Sequence, residues 1–310
     1  MVLTCPARHT IKVSLLILSL IAPMASWSDD LDVQFLVTPE WLNAHRGNEQ
    51  VRVLDIRTAA DYGAGHIDGA VNLPIDQLFL NDNGRRFIAP LAQIKNAFST
   101  AGIDDQTLVA VYDAGEFLSA ARVFWVFEVY GHARVVALDG GYAGWTQLQL
   151  PVSTHDLVPV PRNFVPTVTP NRLATKLTTR LAINQSNTVI IDARESADYR
   201  GEKSTAQRFG HIPSATNVPV KEVFELVNGV KHLKSIEQLK QSYREIDPDK
   251  HVITYCNNGS ASAGTYFNLR RMGIDVANYD GSWMEWGNDT ALPIVAPTKT
   301  PPPIPTDVGK

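Results

Sequence analysis

Two halves of this 310-residue chain carry the same short sequence blocks in the same order, 137 to 145 residues apart. Residues 54–62 are identical to residues 191–199 at five of nine positions. The second copy then has eight more residues than the first before the next repeated block begins. The other three pairs are residues 65–74 with 210–219, 109–113 with 252–256, and 139–145 with 280–286. Because four blocks recur in one order, the chain is predicted to contain two copies of one domain.

Each copy alternates short apolar runs with longer helical stretches, which is typical of βα units around a mostly parallel sheet. The predicted strands are residues 51–55, 109–112 and 135–138 in the first copy, and 189–192 and 252–255 in the second. The predicted helices are residues 119–130 and 261–272. We therefore expect an α/β fold with domains at 29–150 and 171–296, a proline-rich linker at 151–170 and a proline-rich tail at 297–310.

The first 28 residues have the features of a secretory signal peptide. Two basic residues precede an apolar run, residues 13–22, that is too short to span a bilayer, and serines precede a cleavage site at Asp29. Cleavage would remove Cys5 and leave Cys256 as the one cysteine, which cannot form an intramolecular disulfide. The expected location is outside the cytoplasm, in the periplasm, with an uncleaved anchor as the alternative.

The overall charge excludes two classes of partner. A net charge of −4 provides no basic surplus for nucleic acid or for an anionic membrane. We expect neither of these partners once the signal is cleaved. The single cysteine and the scattered histidines show no ligand spacing, so neither a metal nor a cofactor is expected.

Cys256 is the candidate nucleophile. It follows a predicted buried strand and precedes a polar, glycine-containing turn that opens a helix. Backbone N–H groups at such a helix start favour the thiolate form, which is the nucleophile. A buried structural cysteine is the alternative, but it would need no polar neighbours.

These blocks resemble the rhodanese family of sulfurtransferases in its two-domain form, over residues 36–295. The resemblance rests on Asp-Xaa-Arg after a strand, Gly-His-Ile-Xaa-Xaa-Ala-Xaa-Asn-Xaa-Pro in both halves, Tyr-Cys before a polar loop, and Asp-Gly-Ser-Trp-Xaa-Glu-Trp. It implies tandem rhodanese-like domains of which the first lacks the nucleophile, and Asp113 does stand where the repeat places Cys256. It also implies transfer of sulfane sulfur from thiosulfate or 3-mercaptopyruvate to a thiophilic acceptor through a Cys256 persulfide.

The residues after the cysteine fit that chemistry, because the donor and the persulfide are both anions. The donor is expected to be a small anionic sulfur compound, and the acceptor a thiol, including a protein thiol, or cyanide. Successive N–H groups at a helix start form an anion-binding nest, and hydroxyl and amide side chains add donors. The predicted substrate-binding residues of this loop are Asn257, Asn258, Gly259, Ser260, Ala261 and Ser262. Helix capping is the alternative role for the asparagine and serine side chains.

The loop also departs from the family. Its neutral sequence has neither the basic residue of thiosulfate-preferring relatives nor the Gly-Val-Thr stretch of mercaptopyruvate-preferring ones, so the donor stays open. Asp198 stands where the family tends to have a substrate-binding arginine. Arg200 is the expected replacement, with Lys203 and Arg208 as alternatives.

Two other functions remain open. A persulfide carrier would deliver sulfur to one partner with little turnover on small acceptors. A cysteine phosphatase or arsenate reductase would need Cys-Xaa5-Arg, whose arginine clamps the oxyanion, but the residue six positions after Cys256 is Ser262.

The repeated residues outside the Cys256 loop are better explained by structural roles. Asp55 and Asp192 are expected to pair with nearby arginines, and His66 and His211 are expected to form hydrogen bonds that support the fold.

Overall fold

The structure is a computed structural model that describes Met1, residues 35–82 and residues 85–296. The remainder of the predicted signal peptide and the proline-rich tail lie outside the described residues. The two sequence copies form two α/β domains within one compact unit. Among the described residues, none of the helices combines the length and the apolar character needed to span a bilayer.

The first domain is built from short strands and helices in alternation. Its elements are β1 (Leu36–Val37), α1 (Pro39–His45), β2 (Val51–Asp55), α2 (Ala59–Ala64), β3 (His66–Ile67), β4 (Val71–Asn72), β5 (Phe79–Asp82), β6 (Arg85–Ile88), α3 (Leu91–Thr100), β7 (Leu108–Tyr112), α4 (Leu118–Val129), β8 (Val135–Leu138), α5 (Gly141–Gln147) and β9 (Val152–Ser153). The parallel sheet has the order β1-β8-β7-β2-β4. The β5–β6 hairpin and the β3–β9 pair are antiparallel and separate from it.

The second domain repeats this arrangement. Its elements are β10 (Leu173–Ala174), α6 (Lys176–Ala182), β11 (Thr188–Asp192), α7 (Ser196–Tyr199), β12 (Ala215–Asn217), β13 (Phe224–Val227), β14 (Val230–Leu233), α8 (Ile236–Ser242), β15 (His251–Tyr255), α9 (Ser260–Arg271), β16 (Val276–Tyr279) and α10 (Ser282–Trp286). The parallel sheet has the order β10-β16-β15-β11-β12, and β13–β14 is an antiparallel hairpin. Thus β15, which precedes Cys256, is the central strand, as β7 is in the first domain.

Helices α4 and α9 hold the two domains together. They pack against each other, and the rings of Phe124 and Phe267 meet edge to face with centroids 4.7 Å apart. Glu128 of α4 pairs with Arg270 of α9 at 2.8 Å. One apolar core includes residues of both helices, so the domains share buried surface. The site after β15 is therefore built against the neighbouring domain as well as within its own.

Candidate active site

Cys256 lies at the carboxyl edge of the second sheet, directly after β15, and its side chain is 1% exposed. Gly259, in the left-handed region with φ +85°, turns the chain into α9 at Ser260. Parallel α/β sheets place their binding sites at this edge, because strand ends and helix starts converge there. We call residues 256–262 the Cys256 loop.

Two donors contact the sulfur. The Gly259 N–H donates to Cys256 Sγ at 3.2 Å, and the Ser262 hydroxyl lies 3.4 Å from the same atom. The backbone N–H of Cys256 donates to Ser282 Oγ at 3.2 Å, which anchors the residue from the side of α10. Both donors are directed at Sγ, so they can hydrogen-bond negative charge that develops on the sulfur during a reaction.

The other loop residues divide between cavity and scaffold. Asn258 Oδ1 accepts the Ser260 N–H at 3.3 Å, and Asn257 Oδ1 accepts the Thr205 hydroxyl at 2.9 Å. Asn258 therefore caps the loop, and Asn257 ties it to the eight-residue insertion of the second copy. Both asparagines, Ser260 and Ala261 line an open cavity of about 560 Å³ with Cys256, whereas Gly259 and Ser262 are buried and do not line it.

Arg194, one member of a buried ion pair, forms part of the cavity wall. Arg194 is bidentate to Asp192, through Nε to Oδ1 at 2.9 Å and Nη2 to Oδ2 at 2.5 Å, and its guanidinium lies 4.4 Å from the Trp283 ring centroid. Burial works to lower the pKa of Arg194, but the hydrogen bonds and charge of Asp192 raise it above the usual value. The scaffold role predicted for Asp192 is confirmed, and the pair adds little net charge to the cavity.

Lys203, and not Arg200, brings an additional cation to the cavity. Lys203 Nζ lies 3.2 Å from Asp198 Oδ2, and both residues line the cavity. Arg200 follows the end of the short helix α7, so its side chain extends into solvent, pairs with Glu202 at 2.6 Å and does not line the cavity. The expectation for Arg200 is corrected accordingly. Arg208 has a structural role, because its guanidinium donates hydrogen bonds to main-chain carbonyls such as that of Leu292.

Sequence reasoning missed four apolar cavity residues, which are Leu118, Ala193, Val220 and Met284. Met284 comes from α10, and Leu118 reaches the cavity from α4 of the other domain. Met284 follows the Asp-Gly-Ser-Trp block, which is a signal that could have found it. Nothing in the local pattern distinguishes Leu118, because its position depends on how the domains pack.

In the first domain, a carboxylate occupies the position of the sulfur. Asp113 is buried, and its oxygens accept N–H groups of Gly115 at 2.9 Å, Phe117 at 3.1 Å and Ala120 at 3.3 Å. Burial raises the pKa of Asp113, while these N–H donors act in the opposite direction. The N–H groups of this loop are thus bound by the chain's own side chain, and the position holds no sulfur.

The repeated histidines and tryptophans are structural. His66 and His211 stack on Tyr62 and Tyr199, with ring centroids 3.7 Å apart in both domains. Each histidine Nδ1 also bonds the main-chain oxygen of its tyrosine, which supports the predicted scaffold role. The indoles of Trp283 and Trp286 are buried in the core. Within the described residues, no three His, Cys, Asp or Glu side chains are grouped to hold a metal ion.

Comparison with known proteins agrees with this architecture. The putative thiosulfate sulfurtransferase SseA of Mycobacterium bovis is 33% identical over 279 residues, 84% of this chain and 90% of that protein. The sulfur carrier protein TtuD of Thermus thermophilus is 31% identical over 278 residues, 84% of this chain and 96% of that protein. The crystal structure of SseA from Escherichia coli, described with 3-mercaptopyruvate sulfotransferases, superposes with a TM-score of 0.71 at 27% identity, covering 81% of this chain and 99% of that one. The rhodanese-like domain family matches residues 38–148 and 175–289, so the chain belongs to that family and contains two copies of its domain.

Proposed function

We propose that the protein is a sulfurtransferase that carries sulfane sulfur as a persulfide on Cys256. The observation that carries this proposal is the position of Cys256 Sγ beside an open cavity, with the Gly259 N–H and the Ser262 hydroxyl directed at it. That arrangement stabilises a sulfur anion and provides space for a small donor. The sulfurtransferase names of the relatives support the same activity.

The proposed reaction needs no general base once Cys256 is a thiolate. The thiolate attacks the outer sulfur of thiosulfate, a new S–S bond forms at Sγ, and the old S–S bond breaks with its electron pair leaving on sulfite. With 3-mercaptopyruvate the C–S bond breaks instead, and the pyruvate enolate takes a proton from water. A thiol or cyanide then removes the outer sulfur and restores the thiolate.

The persulfide is the direct test of this proposal. Incubating the purified protein with thiosulfate, and separately with 3-mercaptopyruvate, should add the mass of one sulfur atom to the Cys256 peptide. Adding cyanide should remove that mass and release thiocyanate. If neither donor modifies Cys256, the proposal is wrong.

Steady-state kinetics at equal donor concentrations, with cyanide as acceptor, assign the donor class. We propose thiosulfate or 3-mercaptopyruvate, because relatives carry names that refer to each. The cavity supports a small anion through Lys203, although Asp198 offsets part of that charge. A large preference in kcat/KM for one donor decides between them.

Persulfide carriage to a partner protein is a second candidate function. The name of TtuD, sulfur carrier protein, supports it, as does the opening of the cavity to solvent at Lys203, whose side chain is 59% exposed. A carrier would accumulate the Cys256 persulfide but turn over slowly with cyanide. Trapping a mixed disulfide between Cys256 and a partner thiol would distinguish carriage from free turnover. A phosphatase has less support, since Ser262 occupies the position of the arginine clamp.

We also propose that the protein is exported to the periplasm, on the strength of the predicted signal in residues 1–28. Fractionation should recover it in the periplasm, and the mature N-terminus should be Asp29. A cytoplasmic product that begins at Met1 would contradict this proposal.

Lys203→Met is expected to weaken donor binding, and Arg200→Met is the matched control. Removing the cavity cation should raise the KM for thiosulfate about threefold with little change in kcat, because an exposed charge contributes roughly 0.5–1 kcal/mol. Arg200→Met removes an equally exposed cation outside the cavity and should leave KM unchanged. Equal KM effects in the two variants would mean that donor binding depends on the overall charge of the protein and not on the position of Lys203 in the cavity.

A further inference from the structure

Arg122 of α4 is buried between the domains and reaches the Cys256 loop. Its Nη1 donates to Ser260 Oγ at 2.9 Å, and its Nη2 donates to Asp280 Oδ1 at 2.7 Å and to the Arg86 carbonyl at 3.0 Å. The guanidinium carbon lies 4.2 Å from the Phe79 ring centroid, and the side chain is 0% exposed. Several directed bonds therefore fix this cation in one place.

Asp280 connects Arg122 to the residue that donates to the sulfur. A Cβ at Gly259 would lie 2.8 Å from Asp280 Oδ1 and 3.1 Å from Arg122 Nη2, so the ion pair packs directly against Gly259. Asp280 Oδ2 also accepts the Ile88 N–H at 2.6 Å, which holds the carboxylate from the side of the first domain. The ion pair thus lies directly against the residue whose N–H donates to Cys256 Sγ.

The repeat supplies an internal comparison. Asp139 is the counterpart of Asp280, and it too accepts a main-chain N–H from the opposite hairpin, that of Leu233 at 3.1 Å. The arginine has no such counterpart. Arg122 is the fifth residue after the left-handed Phe117, and the fifth residue after the left-handed Gly259 is Gly264. The hairpin contact is thus common to both domains, whereas the buried arginine serves only the loop that contains a cysteine.

We propose that Arg122 is a positioning residue for the nucleophile, supplied by the domain that lacks one. It holds Ser260 directly and Gly259 through Asp280, so that the Gly259 N–H remains directed at Cys256 Sγ. Arg122, which belongs to the domain with Asp113, thereby contributes to the reactivity of the other domain without itself lining the donor cavity. This inference rests on the proposed role of Cys256 as the nucleophile.

Alkylation of Cys256 by iodoacetamide tests the proposal independently of sulfur transfer. In Arg122→Met the rate at pH 7 should fall about tenfold, and the pH profile of alkylation should move up by about one unit, since one unit is a tenfold change. Arg122→Lys keeps the charge but not the fork of donors, so its rate should fall about threefold. The kcat for sulfur transfer should fall in parallel, with KM within twofold of the wild type.

Arg270→Met is the control for a merely structural effect. It removes another interdomain arginine, a partly buried one, which is bidentate to Glu128 on the same helix pair but does not contact the loop. It should lower the Tm while leaving the alkylation profile at its wild-type position. Wild-type alkylation in Arg122→Lys and Arg122→Met would overturn the proposal, as would an equal loss in Arg270→Met.

Two outcomes could otherwise be confused. If Arg122→Met does not fold, Arg122→Lys decides, because it keeps the ion pair with Asp280, and a wild-type alkylation rate overturns the proposal. If the wild type alkylates normally but accepts no sulfur, the proposed function fails. The positioning role of Arg122 is still supported in that case if its variants alkylate slowly.

Discussion

Cys256→Ser should lower sulfur transfer by at least about 10³-fold with thiosulfate and with 3-mercaptopyruvate, the scale seen when a catalytic nucleophile is removed. A serine hydroxyl is un-ionised near neutral pH, and among the described residues the groups bonded to Cys256 Sγ are an N–H and a hydroxyl, neither of which is a base that could activate it. Both donors of the loop, the Gly259 N–H and the Ser262 hydroxyl, remain able to bond the new oxygen. The fold should therefore persist while turnover is lost. Thiocyanate production and circular dichroism measure the two effects.

Ser262→Ala is the matched control for this loss. It keeps the thiol and removes only the hydroxyl that lies 3.4 Å from Sγ. We expect a loss of about tenfold, since one hydrogen bond to a charged group contributes roughly 1.5 kcal/mol. Turnover of Cys256→Ser above that of Ser262→Ala would show that sulfur does not pass through Cys256.

Gly259→Ala should lower kcat by about 100-fold, comparable with the removal of an oxyanion-hole donor. The alanine Cβ would meet Asp280 Oδ1 at 2.8 Å and the Asp280 main-chain oxygen at 3.0 Å, and neither atom can easily move. The φ of +85° adds strain of about 1 kcal/mol for any residue with a Cβ. The loop must shift to relieve both, and the Gly259 N–H then no longer points at the sulfur.

Gly273→Ala separates these two costs. Gly273 follows α9 with φ +79°, and a Cβ there would meet nothing within 4 Å. The variant should lose about 1 kcal/mol in the free energy of unfolding from backbone strain alone, with wild-type kcat. Denaturant unfolding and steady-state kinetics on both variants provide the comparison. Equal activity in Gly259→Ala and Gly273→Ala would mean that the contact with Asp280 has no part in positioning the loop.

The central elements could be predicted because their signals are local. Residues 252–255 and 261–272 were predicted as a strand and a helix, and the structure has β15 at His251–Tyr255 and α9 at Ser260–Arg271. Apolar runs of this kind are buried in any parallel sheet, so their pattern shows in the sequence. The hairpins β5–β6 and β13–β14 were not predicted. Each donates a main-chain N–H to an aspartate of the opposite domain, a partner that no local pattern identifies.

The cavity shows the same division between local and distant contacts. The donors to Cys256 Sγ come from residues three and six positions along the chain, within one turn and the start of one helix. Which of Arg200 and Lys203 reaches the cavity depends on how the inserted segment folds over the sheet, because side chains a few positions apart in such a segment can point in opposite directions. Arg122 lies 138 residues from Ser260. A cation inside a mostly apolar helix is the one sequence signal for Arg122, and that signal does not identify the residue that Arg122 bonds.

The sequence by itself determined the duplication, the rhodanese-like fold, the proposed nucleophile and the loop that surrounds it. These follow from repeated blocks and from short-range geometry, in which a strand end, a left-handed glycine and a helix start place donors at one atom. The tertiary structure decided which cation reaches the cavity, that Leu118 of the first domain lines it, and that Arg122 holds the loop. Those contacts depend on the packing of α4 against α9, and side chains far apart in sequence meet only when that packing forms.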